Sequence, residues 1–248
     1  MVGDRTLELR RFWTALAFYT RLPVPEGKPL GALSQGSRYF PAVGWIVGGI
    51  GAVVYGLAGW GLPHIVAVIL AVGAMVLATG ALHEDGFADT CDGLGGGWSR
   101  EDALRIMKDS RLGTYGAVGL VLLLAIKLGA LVSLDASSVA WTLIAAQASS
   151  RFFALTLTRS LPYVQSEASS KSGGLQPLQG VDFQIAALIG LAPLLLLGSS
   201  GVVAALLCGG AAVACGRYCQ KRLGGYTGDS LGAVQQGCET LVYLTLCV

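Results

Sequence analysis

The sequence predicts an all-α fold: a polytopic integral membrane helix bundle of about seven transmembrane helices, with catalytic loops on the cytoplasmic face. Apolar residues make up 53% of the 248 residues and charged residues only 13%, and the mean hydropathy is +0.62. Soluble globular domains carry about 25% charged residues. Residues 39–83 and 183–216, runs of 45 and 34 residues, contain no Asp, Glu, Lys or Arg. Because about 20 apolar residues cross a bilayer, each run is long enough for more than one pass.

Each uncharged run contains one break. The first turns back at 61–63, where Gly-Leu-Pro interrupts the helical pattern, and the second breaks at the Gly-Ser-Ser-Gly of 198–201 into two short spans. The remaining predicted spans are 114–134, 138–158 and 232–248, which contain Lys127, Arg151 and Glu239 as their single charged residues. This division gives seven spans within one domain, residues 1–248.

The distribution of basic residues predicts the orientation. Of the 17 Lys and Arg residues, 15 lie in four segments, and the loops that alternate with these segments contain none. The four basic segments are 1–38, 83–113, 159–182 and 216–231. The positive-inside rule places them in the cytoplasm together with the N-terminus. A net charge of +2 from dispersed basic residues gives no nucleic-acid footprint.

The densest polar segment, residues 83–93, follows the second predicted span. On a helix, Asp85, Asp89 and Asp92 are spaced i, i+4 and i+7, which places three carboxylates on one face. Such carboxylates repel each other unless a cation lies among them, and oxygen ligands favour Mg²⁺ or Mn²⁺ over zinc. The alternative is a solvated acidic cap on a membrane helix. His83 and Glu84 project to another side, where His83 is either a base or a structural residue.

A glycine-rich segment, 95–97, and two basic residues follow the carboxylates. Glycines let backbone amides approach a phosphate, while Lys108 and Arg111 supply positive charge for it. A hinge is the alternative for the glycines. Anchoring at the cytoplasmic membrane surface is the alternative for the two basic residues.

A third polar cluster, residues 224–233, precedes the last span and contains Thr227 and Asp229. Asp229 is predicted on the same side of the membrane as Asp85, so it could complete a metal site. Glu239 lies about two turns inside the span, and an intramembrane acid by default marks a functional site that faces the bundle interior. Its natural partners are Lys127 or Arg151, and a purely structural ion pair remains an alternative.

At these three clusters the sequence resembles the cobalamin synthase family, the adenosylcobinamide-GDP ribazoletransferases of the bacterial inner membrane. The matching stretches are HEDGFADTCDGLGGGW at 83–98, MKDSRLGTYG at 107–116 and GGYTGDSLGA at 224–233, with weaker matches at TRLPVP, 20–25, and RYFPAVGW, 38–45. The family joins adenosylcobinamide-GDP to α-ribazole or its 5′-phosphate and releases GMP, with Mg²⁺ required. The resemblance therefore implies a multi-pass transferase of the inner membrane in cobalamin biosynthesis.

The resemblance also assigns roles to the polar residues. The implied metal ligands are Asp85, Asp89, Asp92 and Asp229. The implied substrate-binding residues are Lys108, Arg111, Thr227 and Glu239. The implied catalytic residues are the three carboxylates of 85–92 with His83 or Glu84 as the acceptor of the hydroxyl proton. The expected partners are the two substrates, the lipid bilayer, and a second copy of the chain or other corrinoid-pathway enzymes.

Two other functions remain open at the level of sequence. CDP-alcohol phosphotransferases also carry acidic motifs at a membrane face, but here Asp89 stands where that family has Arg. A cation transporter could use Asp85, Glu239, Lys127 and Arg151 as a pathway. Transport sites usually lie near the midplane, whereas most acids of this chain are predicted at one face.

Overall fold

A computed structural model describes residues 2–25, 36–164, 175 and 177–247, and its regular structure is helical. Parts of two predicted cytoplasmic segments, with Lys28 and Lys171, lie outside these residues. The described helices are α1 (Val2–Tyr19), α2 (Phe40–Ala58), α3 (His64–Thr79), α4 (Leu82–Gly96), α5 (Arg100–Ile106), α6 (Thr114–Val132), α7 (Ala136–Ser160), α8 (Gly180–Leu195), α9 (Gly198–Leu223) and α10 (Gly228–Thr245). A 3₁₀ turn, Ser37–Tyr39, leads into α2.

Seven of these helices, α2, α3 and α6–α10, run alternately between the two ends of the bundle. One end, called the α4 end below, is tied together by hydrogen bonds from Gly113 to Asp92, from Arg222 to Gly97 and from Tyr226 to Pro162, and by the ion pair of Arg38 with Asp182. The opposite end is tied by hydrogen bonds from Tyr55 to Ala136, from Trp141 to Pro193 and from Cys247 to Ala130. The chain therefore enters the bundle at the α4 end and reaches the opposite end at α10.

The centre of the bundle is the long helix α7, which packs against α2, α8, α9 and α10. Two glycines of α2 bring the two backbones together. A Cβ on Gly48 would lie 2.6 Å from the Cα of Ile144, and a Cβ on Gly44 would collide with the carbonyl oxygen of Gln147. Small residues spaced by four positions permit such close helix contact in membranes, where little other than packing drives association. Gly44 and Gly48 therefore form the close contact between α2 and α7.

Length and hydropathy alone do not confirm the predicted count of seven spans. Within the described residues, three helices are long and apolar enough to cross a membrane: Ser37–Ala58, Thr114–Val132 and Gly198–Leu223. The pair α3 and α4 passes the same test only together, with a bend of 86° between them. This bend turns α4 away from the axis of α3. Since α4 also carries four acidic residues, we treat it as lying outside the membrane-spanning segments.

The other helices miss the criterion for identifiable reasons. Helix α7 has 25 residues, but its buried side chains include Gln147, Ser149, Ser150 and Arg151. Helix α8 has only 16 residues, and α10 carries Glu239 together with two glutamines. Polar side chains on α7 and α10 thus lower the hydropathy of these two helices. The predicted turn at 61–63 is confirmed, the break before α9 falls at 196–197, and the last helix begins four residues earlier than predicted.

The contact between α2 and α7 predicts that alanine substitutions at two neighbouring glycines have different effects on stability. Gly48→Ala should destabilise the protein by about 1–3 kcal/mol, because the added methyl group forces two backbones apart. Gly49→Ala is the matched control, since a Cβ on Gly49 meets nothing within 4 Å. It should leave stability unchanged or raise it slightly through better helix propensity. Thermal unfolding in detergent measures both, and equal unfolding midpoints would contradict the packing account.

Candidate functional site

The predicted arrangement of three carboxylates on one helix is confirmed. Helix α4 covers Leu82–Gly96, so Asp85, Asp89 and Asp92 lie on one side of it at successive turns. Their exposure falls along the helix: Asp85 is exposed, Asp89 is half-buried and Asp92 is buried. The row of carboxylates therefore runs from solvent into the bundle, and its inner end meets α6.

Asp92 holds the first turn of α6. Its carboxylate accepts hydrogen bonds from the backbone amides of Gly113 and Gly116, each at 2.8 Å. These amides belong to the unpaired N–H groups of a helix N-terminus, which favour a negative charge. A Cβ on either glycine would collide with the Asp92 carboxylate. The glycines of the 107–116 stretch thus leave room for this contact. Each carboxylate oxygen of Asp92 accepts a structural hydrogen bond, in addition to the predicted role of Asp92 as a metal ligand.

Asp229 reaches the carboxylate row through a close crossing of α4 and α10. A Cβ on Gly86 would lie 3.0 Å from the Cα and the carbonyl oxygen of Asp229, and a Cβ on Gly232 would lie 3.1 Å from the carbonyl oxygen of His83. A methyl group at either position would require the facing backbone to shift by a few tenths of an ångström. The crossing brings Asp229, in the first turn of α10, next to the outer face of α4, as the sequence predicted.

The four carboxylates form one electrostatic cluster, called the carboxylate cluster below. Partial burial, followed in order by the neighbouring charges of Asp85, Asp229 and Asp92, raises the pKa of Asp89 to about 7. Burial and nearby like charges both disfavour ionisation of a carboxyl group, and the three neighbours show that the acids of α4 and α10 act on one another. The sequence alone could not predict the full shift in the pKa of Asp89, because Asp229 is distant from Asp89 in the chain.

The carboxylate cluster is not a closed metal site. Among the residues that the structure describes, no group of three or more His, Cys, Asp or Glu side chains is arranged to hold a metal ion. The donor set nevertheless suits a hard cation, because it offers only carboxylate oxygens and concentrates negative charge at a partly exposed surface. Asp85, Asp89 and Asp229 are the residues with accessible surface to offer such a cation.

His83 and Glu84 lie on the inner face of α4, as predicted. His83 is 4% exposed and stacks on Phe40, with 5.7 Å between the ring centroids. Burial, followed by the charges of Arg151 and Lys127, holds the pKa of His83 well below its ordinary value, so the ring is neutral. Glu84 accepts a hydrogen bond of 3.0 Å from Gln236 on α10. Neither side chain faces solvent beside the carboxylate cluster.

Glu239 belongs to a buried polar network between α6, α7 and α10. Its carboxylate forms an ion pair with Lys127, N to O 3.0 Å, and accepts hydrogen bonds from Gln235 and Tyr243. Lys127 also donates to Gln236, which in turn binds Glu84. The network therefore links α6 and α10 to α4. It confirms Lys127 as the partner of Glu239.

A small cavity lies within this network. Its volume of about 10 Å³ is enough to hold one water molecule. Polar side chains on its wall are Thr79, His83, Glu84, Lys127, Arg151 and Glu239. Within the described part of the chain, His83 Nε2, Glu84 Oε2 and Arg151 Nε have no hydrogen-bond partner. Because buried polar atoms are normally hydrogen-bonded, a water in the cavity would satisfy them.

The remaining predicted residues divide between the interior and the surface. Thr227 is fully buried, and its hydroxyl accepts a hydrogen bond of 3.1 Å from the amide of Ser230 in a capping box that starts α10. Lys108 and Arg111 are exposed on the segment before α6. Arg111 binds Asp109 through two guanidinium nitrogens, at 3.0 and 2.6 Å. The Thr-x-x-Ser spacing at 227–230 is the sequence signal that could have predicted the cap.

Comparison with known proteins identifies the family. The family model described as cobalamin-5-phosphate synthase (CobS) matches residues 11–247. The chain belongs to the cobalamin-5-phosphate synthase family. Two similar proteins, both named adenosylcobinamide-GDP ribazoletransferase, come from Shewanella pealeana, 44% identical over 97% of this chain and 96% of the relative, and Leptothrix cholodnii, 45% identical over 96% and 94%. No solved structure matches the chain.

Membership of the cobalamin-5-phosphate synthase family confirms the resemblance seen at the three polar clusters. It also favours the transferase over the two other functions that the sequence left open, because the match runs through all three clusters. The carboxylate cluster and the buried network are consequently features of a member of this family. The buried network can be tested by measurements of protein stability without an activity assay.

Lys127→Met should destabilise the protein by about 3–5 kcal/mol, because it leaves the buried Glu239 carboxylate without its cation. The double substitution Lys127→Met with Glu239→Gln should recover part of this loss, since no buried charge then remains unpaired at that position. Thermal unfolding in detergent compares the two variants with the wild type. A double variant less stable than Lys127→Met would contradict the assignment of the pair.

Proposed function

We propose that this protein catalyses the adenosylcobinamide-GDP ribazoletransferase reaction. In this reaction a ribose hydroxyl of α-ribazole, or of its 5′-phosphate, attacks the phosphorus attached to cobinamide, and GMP leaves. The near-complete match to relatives of that name, at 44–45% identity, carries the proposal. The carboxylate cluster supports it, because phosphoryl transfer depends on positioning and on charge neutralisation more than on covalent help from the protein.

The carboxylate cluster is the proposed metal site. Asp85, Asp89 and Asp229 would hold Mg²⁺ or Mn²⁺, and the backbone bonds of Asp92 fix the inner end of the row. When bound, the cation would neutralise charge on the substrate's pyrophosphate. Four carboxylates alone would repel that pyrophosphate, so the proposed site is coherent only with a cation. The exposed side of the cluster leaves room for substrate oxygens.

Exposed basic residues beside α6 would supply further positive charge. Arg111 lies two residues before Gly113, whose amide binds Asp92, so it stands at the edge of the carboxylate cluster. Lys108 is exposed on the same segment. An arginine can bind phosphate through two nitrogens, and Arg111 already presents its guanidinium to Asp109 in this way. We propose that phosphate oxygens replace the Asp109 carboxylate when substrate binds.

The acceptor of the ribose proton is proposed to be an accessible carboxylate. His83 and Glu84, the residues implied by the resemblance, are held on the inner face of α4 among buried side chains. Asp85 and Asp89 lie on the face open to solvent. A base must come within hydrogen-bond distance of the hydroxyl that it deprotonates, so the outer face is the suitable one. Thr227 and Glu239 would support the site by holding α10.

The proposed setting is the bacterial inner membrane, with seven passes and a cytoplasmic N-terminus. The odd number of passes is supported by α2 starting at the α4 end and α10 finishing at the opposite end, where Cys247 contacts Ala130. Polar α7 would cross within the bundle, screened from lipid by its neighbours. The basic loops predict that the α4 end lies in the cytoplasm.

The reaction is tested by GMP release from adenosylcobinamide-GDP with the purified protein in nanodiscs. GMP should appear only when α-ribazole or its 5′-phosphate and Mg²⁺ are both present, because the acceptor and the cation are each required. Release without an acceptor would indicate a hydrolase. No release from protein with a cooperative unfolding transition would contradict the proposal.

Asp89→Asn should lower the rate of GMP release by at least about 100-fold, since it removes a charge from the centre of the carboxylate cluster. The unfolding midpoint should not fall, because the substitution relieves repulsion. Asp135→Asn, at an exposed acid before α7 at the opposite end, is the matched control and should turn over normally. Normal turnover by Asp89→Asn would remove Asp89 from the proposed site.

A further inference from the structure

Two tryptophan side chains are almost completely exposed. Trp98, between α4 and α5, is 98% exposed, and Trp60, in the turn between α2 and α3, is 87% exposed. Tryptophan is normally among the more buried residues, because its indole ring has a large apolar area and one polar N–H group. Exposure of nearly the whole side chain at two separate turns is therefore unusual for tryptophan.

The two tryptophans lie near opposite ends of α6. At its start, Tyr115 packs on Gly95, three residues before Trp98: a Cβ on Gly95 would lie 2.7 Å from the tyrosine ring. Just beyond its end, the carbonyl of Ala136 accepts a hydrogen bond of 3.2 Å from Tyr55, five residues before Trp60.

Helix α6 also has the length of the membrane interior. Its 19 residues extend for about 28 Å, and the hydrocarbon core of a bilayer is about 30 Å thick. Among the described residues, it is one of three helices that are long and apolar enough to cross a membrane. The two exposed tryptophans therefore stand near both boundaries of the hydrocarbon.

Helix α9 marks the same boundary at the α4 end. Its exposed apolar side chains are Val202, Val203, Leu206, Leu207 and Val213. From residue 217 its surface becomes basic and aromatic, with Arg217, Tyr218, Lys221 and Arg222. Arg222 donates a 2.6 Å hydrogen bond to the carbonyl of Gly97, next to Trp98. The apolar surface of α9 thus ends close to the level of Trp98.

We propose that Trp60 and Trp98 are anchored in the two headgroup layers of the bilayer, one at each end of the bundle. Tryptophan is enriched at these interfaces because the ring contacts acyl chains while its N–H group bonds to headgroups or water. Basic side chains just outside Trp98 would bind lipid phosphates and water while their stems stay among the chains. The inference requires membrane insertion and is independent of the proposed reaction.

The anchoring also fixes the depth of the carboxylate cluster. Asp92 binds the first turn of α6, and that turn begins where the helix enters the hydrocarbon. The carboxylate cluster consequently lies at headgroup depth, on the same side as Trp98. A water-soluble phosphate substrate would reach it from the aqueous side without crossing the apolar layer.

A different occupant could explain Trp98 alone: a planar ring of the substrate stacked on the indole beside the carboxylate cluster. The observations favour the bilayer, because Trp60 is similarly exposed at the far end of α6, away from every carboxylate of the cluster. One physical cause then explains both tryptophans.

Depth-dependent fluorescence quenching tests the proposal. Wild type, Trp98→Phe and Trp60→Phe are reconstituted in vesicles of lipids brominated either near the headgroup end or near the terminus of the acyl chain. Subtracting each variant from the wild type isolates one tryptophan. Since both side chains are exposed, their removal should leave the unfolding transition intact. Trp45→Phe provides the control, because Trp45 lies inside the first apolar span and is 36% exposed.

The Trp60 and Trp98 components should be quenched more by bromine near the headgroup than by bromine near the chain terminus, with emission blue-shifted from tryptophan in water. The Trp45 component should show the reverse order of quenching. Components quenched by aqueous iodide as efficiently as free tryptophan, and unaffected by either brominated lipid, would overturn the proposal. Iodide quenching of Trp98 that only added substrate suppresses would assign Trp98 to substrate stacking instead.

Discussion

The carboxylate cluster depends on one backbone contact, the crossing of α4 and α10 at Gly86 and Gly232. There the two helices approach so closely that a methyl group on either glycine would require the facing backbone to shift, and Asp229 comes beside α4. Without this approach, the spacing of the acids on α4 would give a charged stripe and no cluster. The cost is partial burial of the Asp89 carboxyl group and repulsion from its like-charged neighbours, which together raise its pKa.

The buried network holds the same helices from the inside. Charged groups in the membrane interior are costly unless paired, so the ion pair of Lys127 and Glu239 commits α6 and α10 to one mutual register. Glu84 joins this network through Gln236 and orients the inner face of α4. Helix α4 is thus held on two sides. The hydrogen bond from Gln236 to Glu84 holds its inner face, and the backbone amides of Gly113 and Gly116 hold Asp92 at the end of the carboxylate row.

Local features of this architecture could be predicted from the sequence, and long-range ones could not. The spacing of Asp85, Asp89 and Asp92 already required a helix, and the need to pair intramembrane charge already linked Glu239 to Lys127 or Arg151. The choice of Lys127 is decided by packing. The capping of α6 by Asp92 joins residues 21 positions apart in the chain. The polar composition of α7 is explained only by the helices around it.

Turnover of Gly86→Ala tests most directly whether this crossing builds the active cluster. The added Cβ would lie 3.0 Å from the backbone of Asp229 and would push α4 away from α10. The account predicts a loss of GMP release of at least about 10-fold, equivalent to about 1.4 kcal/mol, with a cooperative unfolding transition retained. Gly237→Ala, on α10 with nothing within 4 Å of its Cβ, should keep wild-type turnover. Full activity of Gly86→Ala would contradict the account.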